Sequence, residues 1–169
     1  MTEETKQEQP QMVKGNFCPH CGYDIDTPSI EITEDDKKEY FRRMMSGQLF
    51  EKEFVYMRGD VVFRMSELNT HQTDRLVELL RGVVDEQMIM AYAFRSKFMA
   101  CCHYMKIGTE ELITEKLEEI GTMEQMSALY DKTIGSKATP IAHLADDCLR
   151  DFTKIVDGAV QAMVTSKSF

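Results

Sequence analysis

Apolar residues recur along this chain with a helical period in most places and with a period of two in one. From Thr33 to about Ser46 the stripe is Tyr40, Phe41, Met44 and Met45, which predicts an amphipathic helix. Thr33 stands where an N-cap would, with Asp36 three residues on and Glu34 and Asp35 at the positive end of the helix dipole. Gly47 marks the stop. In "FEKEFVYMRGDVVFRM" the period changes. Phe54 and Tyr56 alternate with Glu53, and Val61, Phe63 and Met65 alternate after Gly59 and Asp60. That pattern predicts a small β-hairpin at about 50–65.

The next stretch has no proline from Thr70 to Ile107, so the pattern predicts one very long helix ending at Gly108. Its first half is amphipathic through Leu76, Leu79, Leu80, Val83 and Val84, and Gly82 is its weak point. Its centre carries Met88, Ile89, Met90, Tyr92, Phe94, Phe98 and Met99 around nearly the whole circumference. A helix apolar on every side needs cover on every side, and a partner subunit is expected to supply some of it. Three shorter helices are predicted after it. Thr109 caps one over about 110–120, closed by Gly121. Thr122 and Gln125 form a capping box for the next, closed by Gly135. Thr139 and Pro140 open the last, whose stripe is Ile141, Leu144, Ala145, Cys148, Leu149, Phe152, Ile155 and Val156.

The fold class these patterns predict is mainly α: a helical domain over 33–169 with one very long helix and one β-hairpin. It follows a polar arm over 1–15 and a knuckle with its connector over 16–32.

Composition narrows what such a chain can do. Of its 169 residues 43% are apolar, enough for a real core. The net charge of -9 argues against nucleic acid, because phosphate binding needs a basic face. The longest candidate for a membrane span, "MIMAYAF", is far too short, and the polar start "MTEETKQEQPQ" is no signal peptide. Five cysteines in such a chain point to a reducing compartment. Thirteen methionines and no tryptophan suit an adaptable contact surface.

The chemistry-bearing candidate is "NFCPHCGYDI". Cys18 and Cys21 have the spacing at which two thiolates fold back around one cation, and zinc is the candidate metal. A closed site needs further ligands, and no second C-x-x-C occurs. Cys101, Cys102 and His103 form the other cluster, but neighbouring residues of a helix point about 100° apart. His20, His143, Cys148 or a second copy of the chain are alternative donors. Cys102, flanked by apolar positions, reads equally well as a core residue, and Cys148 reads as one from its place on the apolar stripe of the last helix. A thioredoxin-like role for Cys18 and Cys21 is disfavoured, because no βαβ pattern surrounds them. No nucleotide loop, zincin helix or nucleophile elbow is present, so the chain is not expected to be an enzyme or to take a small-molecule substrate.

The block over 39–80, "EYFRRMMSGQLFEKEFVYMRGDVVFRMSELNTHQTDRLVELL", has a distinctive cadence: a charged helix, a glycine, "F-x-K-x-F", a hairpin, then a hydroxyl-rich lead into a helix. It is similar to small tail and baseplate-associated proteins of tailed bacteriophages, including tail assembly chaperones and baseplate hub proteins of the T-even type. The single C-P-x-C-G at Cys18 and Cys21 adds to that resemblance. It covers about a quarter of the chain plus the knuckle. The resemblance implies a non-enzymatic virion or assembly component, in the virion or in the host cytoplasm during assembly. Its partners would be other phage structural proteins or further copies of itself. The alternative is a small zinc-binding regulatory adaptor docking on a host or viral machine.

Overall fold

The computed structural model describes residues 31–83, 85–114 and 121–165. The arm over 1–15, most of the knuckle and connector, and the metal candidates Cys18 and Cys21 lie outside the described residues. In chain order the elements are α1 (Glu34–Met45), β1 (Glu51–Tyr56), β2 (Val61–Ser66), α2 (Thr70–Arg81), α3 (Glu86–Cys101), β3 (Cys102–Ile107), β4 (Glu110–Ile113), α4 (Met123–Tyr130) and α5 (Thr139–Thr165). A π-helical turn, Asp131–Gly135, prolongs α4.

The expectation of a mainly α domain with one hairpin is therefore corrected. The described residues form an α+β fold whose sheet has four antiparallel strands in the order β1-β2-β3-β4. The very long helix over 70–107 does not exist as such. Gly82 is the C-cap of α2, α3 begins only at Glu86, and the last six residues of the expected helix are strand β3. The helix expected over 110–120 is likewise a strand where it is described, at Glu110–Ile113.

The physical reason lies in β2. Flanked by β1 alone, it would leave one row of backbone N–H and C=O groups unpaired. "CHYMKI" fills that row, with Phe63 opposite Met105 and Val61 opposite Ile107. The alternation in β3 was hidden by a bulge. The register shifts between Arg64 and Met65, so His103 is an extra residue, and Cys102 and Met105 both face the core despite their spacing. The turn into β4 is a two-residue loop, Gly108 and Thr109, between the paired residues Ile107 and Glu110. Gly108 has φ +63°, a conformation that side chains with a Cβ rarely adopt. What reads as a helix stop and a helix cap is a hairpin turn. The first hairpin forms where expected, but its turn holds Met57 and Arg58 at φ 50° and 57°, which is strained for residues other than glycine.

Both predicted capping boxes that fall on real helices hold, while α5 begins at Thr139 itself, one residue before the expected first position at Pro140. Thr33 and Asp36 make a capping box on α1, and Thr122 and Gln125 make one on α4. A third box, Asn69 with Gln72, opens α2.

Helices cover one face of the sheet. Phe98 of α3 meets Phe63 of β2 edge-on at 5.4 Å between ring centres, and Phe152 of α5 stacks on Phe50 at 5.9 Å. Tyr130 of α4 closes over Phe94 and Phe98 at 6.3 and 6.0 Å. The other face is mainly polar, with Val55 and Ile113 also exposed on it. There the Arg64 guanidinium donates to Glu53 at 2.6 Å and lies 4.4 Å from the centre of the Tyr104 ring. This one-sided burial explains the alternation in β2, where Val61, Phe63 and Met65 are buried and Arg64 is exposed. α1 is pinned by polar contacts more than by its predicted stripe. Tyr40 and Asp36 are buried, Asp36 pairs with Lys52 of β1, and Met44 and Met45 are exposed. Among the described residues no helix is long and apolar enough to cross a membrane.

Candidate functional site

Cys101, Cys102 and His103, weighed as completing ligands, straddle the junction of α3 and β3. Cys101 is the last residue of the helix and Cys102 the first of the strand. Both are buried, whereas the bulged His103 is exposed beside Arg64 and Glu53 on the polar face. Cys102 donates its S–H to the carbonyl of Tyr104 at 3.3 Å. Cys148 is fully buried on α5, and His143 on the same helix is half-buried. Among the described residues no three His, Cys, Asp or Glu side chains gather as a metal site. That finding leaves zinc at Cys18 and Cys21 untouched.

The state of the buried thiols follows from their surroundings. Burial pushes Cys101 up to about 11, against the pull of nearby Lys97, and pushes Cys102 up to about 12. Burial raises Cys148 as well. A thiol held protonated is a poor nucleophile and a poor metal ligand. These three cysteines are free thiols and behave as small apolar residues of the core.

A groove opens between α2, α3 and α5. Its volume is about 340 Å³, near the lower end of the roughly 300–1,000 Å³ usual for binding pockets. Leu76, Val77 and Leu80 form the α2 wall, Phe152 and Val156 the α5 wall, and Cys101 the α3 side, with Leu68 of the β2–α2 connector at one end. The helical period places Leu76, Val77 and Leu80 together: spacings of one, three and four keep them on one stripe of α2. Three charged groups stand among the lining residues. Lys97 is exposed, as is Asp157, and Glu67 is half-buried. Glu67 accepts a hydrogen bond from the Tyr40 hydroxyl at 3.0 Å. Burial first, and then that carboxylate, push Tyr40 up to about 12. The groove thus has an apolar lining with a mixed-charge margin, which suits an apolar side chain carried on a polar backbone.

Two exposed methionines stand on α3, two positions apart and so on different sides of the helix. Met88 is 39% and Met90 78% exposed near the start of the helix. The groove was not legible from sequence, because each of its walls reads as an ordinary amphipathic stripe. The structure shows Val77, left out of the predicted α2 stripe, half-exposed in its wall.

Comparison of the chain with protein-family profiles, with curated proteins and with solved structures gave no match.

Proposed function

We propose that this protein is a non-enzymatic structural or assembly component of a phage tail or baseplate. It works through protein–protein contacts made by the Met-rich start of α3 and by its N-terminal arm. The observation that carries the contact role is the exposure of Met88 and Met90 on a helix that is apolar on all sides. Methionine side chains adapt to irregular partners, as an assembly surface requires. The phage assignment rests on the cadence of residues 39–80 and on the C-P-x-C-G of the knuckle. On this reading the protein acts in the host cytoplasm during assembly or in the finished virion.

Co-expression with tail-tube and baseplate subunits of a tailed phage tests the proposal. A stable complex is expected with the native chain. The double substitution Met88→Glu and Met90→Glu should abolish it while the helical circular dichroism stays the same. A native chain that remains a monomer and captures no tail subunit would overturn the reading.

A further inference from the structure

The described chain enters the fold beside the α5 wall of the groove. Ile32 lies against α5 at Gly158: a Cβ built on that glycine would come within 2.5 Å of Ile32 Cδ1, closer than real Cβ atoms approach anything. Gly158 is the notch that seats Ile32, and it directly follows Asp157 and Val156 of the groove lining. The next element, α1, reaches the groove margin too, through Tyr40 and Glu67. Thirty residues of chain therefore join the fold within a helical turn or so of this opening.

Their sequence divides in two. Residues 1–11, "MTEETKQEQPQ", are polar apart from Met1. Residues 17–30, "FCPHCGYDIDTPSI", carry Phe17, Tyr23, Ile25 and Ile30, with Asp24 and Asp26 as the only charged residues other than a histidine. Lys97 stands in the lining beside the carboxylates of Glu67 and Asp157, so charge does not select this segment and its apolar side chains carry the match. Reach is no obstacle. The seven steps from Tyr23 to Ile30, if extended, span roughly 23 Å at about 3.3 Å each.

We propose that the groove between α2, α3 and α5 is the docking seat of the chain's own residues 17–30, with Tyr23 and Ile25 as its apolar anchors. Docking in cis costs little entropy, because the seated segment is tethered beside its seat at Ile32. The segment would remove Leu76, Val77, Leu80 and Val156 from water and hold the Cys18–Cys21 turn against the body of the protein. This inference stands apart from the phage reading, since it concerns only how the chain covers itself.

The test uses the full-length chain with Tyr23 replaced by the photo-crosslinking residue p-benzoylphenylalanine, irradiated at low micromolar concentration and mapped by mass spectrometry. The expected result is an intrachain crosslink to peptides from residues 68–80 or 152–157. Val77→Asp, at a half-exposed wall position that folding tolerates, should reduce that crosslink about tenfold with circular dichroism unchanged. Intrachain crosslinks confined to other regions would overturn the proposal. So would crosslinks found only in dimers, which would give the groove to a second copy. A crosslink indifferent to Val77→Asp would overturn it as well.

Discussion

The two halves of α3 are built from the same kinds of residue and meet opposite fates. Near its start Met88 and Met90 are 39% and 78% exposed, while near its end Phe98 and Met99 are 0% and 2% exposed. The second half lies over Phe63 of the sheet and under Tyr130 of α4. The first half extends toward the α2–α3 connection, where no comparable aromatic contact is made among the described residues. Burial here depends on which neighbour arrives and not on how apolar the helix is. Part of the apolar circumference that suggested a partner subunit is hidden by the protein's own sheet. The proposed partner contact is therefore confined to the exposed methionines near the start of α3.

The largest test of this contrast is a truncation in each half. Phe98→Ala should cost about 3–5 kcal/mol in urea-induced unfolding, because it removes an aromatic group from a fully buried site. Met90→Ala should change stability by less than about 0.5 kcal/mol. Similar costs at the two positions would erase the distinction.

A smaller effect is expected where the helix gives way to the sheet. Gly108→Ala forces a side chain into the left-handed region at φ +63°, with open space around its Cβ, and should cost about 1–2 kcal/mol. No cost would argue that the β3–β4 turn, and with it the pairing of β4 on β3, does not form.

The cover itself can be titrated. Tyr130 is pushed up to about 12 by burial, aided by Asp146 and opposed by Arg95. Its ordinary value is 10.0, so the neutral phenol is favoured in the fold. The resulting stabilisation is complete below pH 10 and is lost as pH rises through about 12. Unfolding free energies of the native chain and of Tyr130→Phe should therefore diverge across that window, with the native chain falling faster. Parallel curves would show that Tyr130 ionises as easily in the fold as out of it.

The smallest stability effect, and the sharpest for function, is Met90→Glu. Thermal unfolding should be unchanged within about 1 °C while tail-subunit capture is weakened.

Local signals read well wherever the deciding contacts are close in sequence. The Thr33–Asp36 and Thr122–Gln125 boxes, the start of α5 at Thr139 and the hairpin between Phe54 and Phe63 are all within a few residues of what causes them. The same locality misled the reading at 102–113. "HYMKIGTEEL" carries helix formers, and its true period of two is broken by the bulge at His103. Its strands exist because β2, some forty residues earlier, offers an edge. The groove is illegible for the same reason: α2, α3 and α5 each look complete alone, and only their arrangement leaves a space among them.

What the sequence by itself determined is therefore the punctuation of the chain: where helices may begin, which residues want cover, and that the whole is acidic and built around methionine. Those properties are written in side-chain chemistry and in backbone groups that must be satisfied within a turn. Only the tertiary structure decided that residues 102–113 would be strands, that Cys101 and Cys102 would be silent core thiols, and which end of α3 would stay bare. Each of those outcomes depends on a surface contributed from far along the chain, and a one-dimensional period contains no record of what will arrive to meet it.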